Sequence, residues 1–276
     1  VSAPRHSIRV IIPDSHGEHI DKAAESAFLA DLKALRPEEI VMIGDHLDCG
    51  GTFSSHQRSY TNEMTESYED DCDAANRFLD GIQKAAPGAR IHYLYGNHEA
   101  HVERWASRMF HSAKDAKKLL GVFGPAKALR LKERGIKHYE PSEFYHGLSV
   151  RGTIKLGKCF FTHGISFSRN AADVHLTRFG ANVVFGHCHR SMSVIGRSVT
   201  SDGHGAWCPG TLAKLQPLYK HTEPTNWTHG YAVQFVNTAS GRFAHYQVPI
   251  IGGRGLLLES VNVIQTRAAK RTKRKK

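Results

Sequence analysis

Five short polar clusters hold the side chains of this 276-residue chain that are best suited to chemistry. They are Asp14-Ser15-His16, the run GDHLD from Gly44 to Asp48, the run GNHE from Gly96 to Glu99, Thr162-His163-Gly164, and the run GHCH from Gly186 to His189. Together they offer imidazoles, carboxylates and an amide. Such donors suit zinc, manganese, iron or nickel, and not an iron–sulfur cluster. A lone histidine after a strand is ordinarily a satisfied turn or core residue. Five clusters of one character, each closing an apolar run, point to a common cause, and a metal centre supplies it.

The elements that must position these clusters can be read from periodicity. SIRVIIP at 7–13 is short and β-branched, a strand; apolar residues at helical spacing from Ile20 to Leu35 form a helix that Pro37 stops; EIVMIG at 39–44 is a second strand. That order reads as a βαβ unit with a parallel pair. Met64, Tyr68, Cys72, Ala75, Leu79 and Ile82 give another helix. The acids at its start (Glu63, Glu66, Glu69, Asp70, Asp71, Asp73) read as a solvated face favoured by the helix dipole. RIHYLY at 90–95 is a third strand, and 99–120 reads as a helix. The second half changes to short strands at 147–151, 154–162, 182–186, 192–195, 230–237 and 242–250, with TASGR at 238–242 as a hairpin turn. Every polar cluster then lies at the carboxyl end of a strand, where open α/β sheets place their ligand sites. The expected architecture is one α/β domain over 1–260 with two central sheets and helices outside, followed by an appendage at 261–276.

Composition narrows the class. Hydrophobic residues make up 40% and charged residues 23%, as in soluble globular proteins. No apolar run approaches the roughly 18 residues of a membrane span, and no basic lead followed by an apolar stretch marks a secretory signal. The five cysteines are odd in number and lack CxxC spacing, which argues against a disulfide framework and a thiolate zinc site, so a cytoplasmic location is expected. Net charge is +11, and the tail at 267–276 holds seven Lys/Arg with no acid. A second basic stretch, 99–137, carries ten Lys/Arg against four acids and begins at GNHE. Both could be merely solvated surface. Read as polyanion-binding surface, they make nucleic acid the expected partner, held by backbone and shape because no base-reading motif is present.

Taken in order, the five clusters resemble the calcineurin-like metallophosphoesterase superfamily, whose pattern is D-x-H, GD-x-x-D, GNH-D/E, a lone H and GH-x-H. All five blocks are present between positions 14 and 189. The resemblance implies a four-layer α/β/β/α sandwich with two central mixed sheets and two divalent metal ions at the strand C-terminal edge. Manganese is the expected metal in vitro, with iron, zinc or nickel as alternatives. It further implies that Asp14, His16 and His189 hold one metal, that Asn97, His163 and His187 hold the other, and that Asp45 bridges them. His98 would protonate the leaving oxygen, with Asp48 fixing its ring. Arg104 and Arg190 are candidate phosphate contacts, although arginines at such positions are more often surface salt-bridge partners.

GNHE and GDHLDCGG are partly similar to phosphoprotein phosphatases, but the arginine that would follow Asp48 to clamp a terminal phosphate is Cys49 here. Little chain remains after GHCH for the capping domain of repair exonucleases. Small phage and bacterial metallophosphoesterases are the most similar, which extends the expected compartment to the cytoplasm of a phage-infected bacterial host. The expected activity is hydrolysis of nucleic-acid phosphodiesters. A phosphomonoesterase and a catalytically silent binding module on the same fold are the alternatives.

Overall fold

The computed structural model describes residues 6–49, 53, 67–199, 201–217, 220 and 223–257. Chain order is β1 His6–Ile12, α1 Lys22–Leu35, β2 Glu39–Met42, α2 Tyr68–Ala85, β3 Arg90–Leu94, α3 Glu99–Met109, α4 Ala113–Phe123, α5 Pro125–Ala128, β4 Lys137–Tyr139, β5 Thr153–Leu156, β6 Cys159–Thr162, α6 Ala171–Phe179, β7 Val183–Phe185, β8 Ser191–Ser198, β9 Ser201–Pro209, β10 Gly230–Asn237, β11 Phe243–Ile251 and β12 Arg254–Gly255.

Two mixed sheets form the centre. The first runs β12-β11-β10-β1-β2-β3-β4 and the second β5-β6-β7-β9-β8. β1, β2, β3 and β4 pair in parallel, as do β6, β7 and β9. Strand pleat explains the layering. Val10, Ile12, Ile40 and Met42 face a core shared with Phe28 and Leu32 of α1 and Phe78 and Ile82 of α2. The alternating residues Ile11, Val41 and Ile43 face Ile154, Phe161 and Val184 of the second sheet. Because both faces are covered, β1 and β2 read as continuous apolar runs. The far side of the second sheet is covered by Ala171 and Ala172 of α6 over Val183 and Phe185. The order is helix, sheet, sheet, helix, as expected.

Helix ends follow local chemistry. Asp21 accepts from the amides of Ala23 and Ala24 to start α1, and Ser67 caps α2. The expected helix at 99–120 is two helices, because Phe110 is extended and Ser112 caps a fresh start for α4. The expected strand at 154–162 is a hairpin, β5 to β6, turning at Gly157. No strand forms at 147–151 beyond a bridge from Phe144 to Arg151. Strands β4, β9 and β12 and helices α5 and α6 are additional to the sequence reading. The hairpin turn at 238–242 is present between antiparallel β10 and β11. No helix among the described residues is long and apolar enough to cross a membrane. The basic segment at 258–276, with the expected appendage, lies outside the described residues, as do Glu63, Met64 and Glu66 ahead of α2.

Candidate metal centre

Parallel strands deliver the clusters to one edge. Asp14 and His16 follow β1, Asp45 follows β2, Asn97 and His98 follow β3, His163 follows β6, and His187 and His189 follow β7. Glycines permit the crowding there: a Cβ at Gly96 would lie 2.0 Å from Asp45 Oδ1, and one at Gly44, whose φ is +102°, would lie 2.7 Å from the Gly96 amide. Ser15 and His16 each donate a backbone N–H to the Asp45 carbonyl at 3.0 Å, locking the first two exits together.

Three donor groups result, each with ligand atoms within 4.8 Å of one another: Asp14, His16 and His189; Asp45, His163 and His187; and His16, Asp45 and His98. His189 Nε2 is 3.0 Å from His16 Nε2 and 3.1 Å from Asp14 Oδ2. His163 Nε2 is 3.0 Å from Asp45 Oδ2, 2.9 Å from Asn97 Oδ1 and 3.2 Å from His187 Nδ1. Asp45 Oδ2 also stands 4.0 Å from His16 Nε2, so it touches both halves. All seven expected ligands converge.

The donors fit a metal. Ligands on adjacent positions of one cation, at bonds of about 2.1 Å, lie about 3 Å apart, the spacing seen here. Tautomers are set from behind: His16 Nδ1 bonds Asp48 Oδ1 at 2.9 Å and His163 Nδ1 bonds the Ile43 carbonyl at 3.1 Å, leaving each Nε2 for the centre. The carboxylates also create a field that draws positive charge. Burial opposes ionisation of Asp14, yet facing His189 brings its pKa down to about 2. Burial likewise opposes charging of His163, and Asp45 outweighs it, raising the pKa to about 10. A divalent cation at the same place satisfies that field.

Backbone strain marks the same residues. Among the described residues, eight non-glycines have left-handed φ, and four of them are His16 (51°), Asp45 (52°), His187 (68°) and His189 (55°). Cys49 (53°) is a fifth, beside Asp48. Such conformations disfavour L-residues by about 1–2 kcal/mol each and gather where geometry serves function.

The expected pairing of Asp48 with His98 needs a correction of atoms. The Asp48 carboxylate bonds His16 Nδ1, and its backbone carbonyl accepts from His98 Nδ1 at 2.7 Å. The Asp48 Oδ1 to His98 Nδ1 distance is 3.4 Å. The carbonyl is favoured because His98 opens α3 directly after the β3 exit, which places its ring over the 48 peptide. Its Nε2 faces the centre, 3.9 Å from Asp45 Oδ2. Burial opposes charging of His98, but the carboxylates of Asp45 and Asp48 prevail and raise its pKa.

The arginines are engaged by the protein. Arg104 is exposed and donates to the Asn97 carbonyl at 3.1 Å, bracing that ligand's peptide. Arg190 donates to the carbonyls of Phe167 and Ser168. Cys49, where the resemblance would put an arginine, is fully buried.

Sequence reading missed several supports. Glu99 is fully buried, and its carboxylate accepts from the amides of Asp45 (3.0 Å), His46 (2.8 Å), Leu47 (3.3 Å) and Gly96 (2.8 Å) and from Tyr93 Oη (2.8 Å). It fixes the Asp45 loop. Asp71, expected on a solvated face, is instead buried, and its Oδ2 accepts from the amides of Asp48 and Cys49. Burial raises its pKa to about 7. The signal was available: Asp71 falls in phase with Tyr68 and Ala75 on the apolar stripe. Glu69, Asp70 and Asp73 lie away from the core as expected. His46 is buried beneath the site with Nδ1 3.0 Å from Ser15 Oγ.

The five blocks form one site.

No protein-family model matches the sequence, and comparison with curated proteins finds no match. Among solved structures the chain is similar to vacuolar protein sorting 29 from Cryptosporidium parvum, at 11% identity and a TM-score of 0.44, covering 91% of this chain and 94% of that one. It is also similar to the phosphoesterase YfcE from E. coli, at 14% identity and a TM-score of 0.38, covering 87% and 98%. Vps29 from Chaetomium thermophilum shows 10% identity and a TM-score of 0.40, covering 90% and 93%.

Proposed function

We propose that this chain is a metal-dependent phosphoesterase that hydrolyses phosphodiesters of nucleic acid. The observation that carries the reading is the convergence of Asp14, His16, Asp45, Asn97, His163, His187 and His189, with four of these seven in left-handed backbone.

When bound, two divalent metals, manganese being the expected pair in vitro, would neutralise the phosphoryl oxygens and bring a water toward ionisation at neutral pH. Asp14, His16 and His189 would hold one, Asn97, His163 and His187 the other, with Asp45 shared. The protein's own groups supply the rest. Asn97 adds an oxygen donor without adding negative charge. His98, its Nδ1 committed to the Asp48 carbonyl, presents Nε2 to the centre and can deliver a proton to the leaving oxygen. Asp48 acts mainly by holding His16. Arg104, exposed and bound to the Asn97 carbonyl, would offer its guanidinium to a phosphate of a bound strand.

Charge supports a nucleic-acid substrate. Arg104 and Arg108 lie on α3, which begins at the site, and Lys114, Lys117 and Lys118 lie on α4, which follows it. With the tail at 267–276 they would contact phosphates and not bases. The test is turnover with manganese of bis(p-nitrophenyl) phosphate against p-nitrophenyl phosphate, then of labelled single- and double-stranded DNA and RNA, with Asp45→Asn as control. Preference for the monoester sinks the diesterase reading, and no turnover of either with any divalent metal sinks the enzyme.

A further inference from the structure

Two aromatic side chains stand at the metal centre without holding it. Phe167, between β6 and α6, is 71% exposed, yet its ring lies 5.5 Å from the His187 ring at an interplanar angle of 81°. Trp227, in the segment that enters β10, is part-buried and lies 4.1 Å from the His189 ring at 70°. Each of the two histidines after β7 therefore carries an aromatic neighbour. Ile165, 48% exposed, adds apolar surface on the Phe167 side.

The backbone that carries these rings is braced. Arg190 Nη2 donates to the carbonyls of Phe167 (3.3 Å) and Ser168, and Nη1 is 3.5 Å from Asn226 Oδ1. The Thr228 amide donates to the His189 carbonyl at 2.8 Å, and the Ser191 amide donates to Thr228 Oγ1 at 2.6 Å. One arginine thus braces the Phe167 loop and reaches the Trp227 segment. That role accounts for its guanidinium, expected on phosphate, being directed at backbone.

An aromatic face left open beside two candidate ligands offers a flat apolar surface to whatever the centre binds. The chemistry of the occupant follows from both halves of the site. The metal centre takes a phosphoryl group, and a large open aromatic face beside it takes a planar, π-rich group; a nucleotide joins the two. Base–aromatic stacking of this kind tolerates any base.

We propose that Phe167 and Trp227 form a nucleobase-binding wall that makes this centre select nucleotide phosphoesters over aliphatic ones. Phe167 is the stacking platform, Trp227 closes the His189 side, and Arg190 is a positioning residue for both. The proposal rests on the phosphoesterase reading above and adds its specificity determinant.

Isothermal titration calorimetry of the manganese-loaded protein, with adenosine 5′-monophosphate and with methyl phosphate, isolates the base. The expected result is roughly tenfold tighter binding of the nucleotide in the wild type. That ratio falls toward one in Phe167→Ala and Phe167→Leu and is kept in Phe167→Tyr, which retains the ring. Arg190→Ala lowers the ratio, and Arg190→Lys restores it only partly. Equal affinity of the two probes in the wild type overturns the base wall and leaves the phosphoesterase reading standing. So does a ratio unchanged in Phe167→Ala, including one accompanied by loss of dimerisation, which would assign the ring to a self-interface. Binding of neither probe overturns the base wall, and the phosphoesterase reading falls only with the turnover assay above.

Discussion

His98 and Glu99 are adjacent in the chain and do opposite things. His98 turns its Nε2 toward the centre and holds Asp45 Oδ1 only through its backbone amide (2.9 Å), which any residue but proline keeps, whereas Glu99 turns inward and ties down the Asp45, His46, Leu47 and Gly96 amides. Replacing His98 with Ala should therefore keep the metals and lose turnover by about 10²–10⁴-fold, the span of a general acid. Elemental analysis beside a rate assay checks this, and metal loss would show His98 to be a ligand. Both residues were visible in the GNHE block, but only His98 had a legible role. The reason is that Glu99 acts through backbone amides from a different strand exit, which no side-chain pattern records.

Strand exits are the elements that make the site. The exits of β1, β2, β6 and β7 each turn through a left-handed residue (His16, Asp45, Gly164, and His187 with His189), and the β3 exit needs glycine for close approach. Gly96 passes so close to Asp45 that a methyl group would overlap its carboxylate. Gly96→Ala should accordingly lower metal content at fixed manganese, read by equilibrium dialysis with elemental analysis, while the helices on the first sheet remain folded. Full metal stoichiometry in that variant would mean the exit can relax. The helices were less legible than the strands. Their apolar phase gave α1 and most of α2, but the break at Phe110 between α3 and α4 follows from one capping serine, Ser112, inside an otherwise helical stretch.

At the scale of the whole molecule, the metal centre occupies one end of the two sheets and a buried polar layer the other. Arg9 bonds Glu39 and Gln234 there, and Gln234 reaches His245 at 3.3 Å. Burial lowers the His245 pKa to about 4. A histidine held neutral in the fold but charging near pH 6.5 when unfolded leaves the unfolded state with more protons between those values. Stability should thus fall as pH drops from about 6.5 toward 4, by up to about 2 kcal/mol at pH 5 from this group. Urea titrations at pH 7 and 5 should show a smaller loss in His245→Gln than in the wild type; equal losses would assign the effect elsewhere. Charge acts at the same scale. If the basic tail contacts phosphates, deleting 267–276 should weaken DNA binding and flatten its log–log salt slope by up to about six, while sparing small-substrate turnover. An unchanged slope would remove the tail from the interface.

The seven-ligand centre could be assembled from sequence because metal chemistry restricts residue type and strand exits restrict position. Asp, His and Asn gathered after five apolar runs point to a metal centre, the resemblance picks the seven ligands from among neighbours such as His46, Asp48 and His98, and the unbroken apolar run Val10, Ile11 and Ile12 already implies a strand covered on both faces. Tertiary structure decided which atoms meet. It shared the Asp48 carboxylate between His16 (2.9 Å) and His98 (3.4 Å), turned Asp71 inward, set Glu99 beneath the Asp45 loop and brought Phe167 and Trp227 to the rim. Those contacts join residues tens of positions apart through backbone groups and ring edges, and neither has a periodicity or a residue-type signature along the chain.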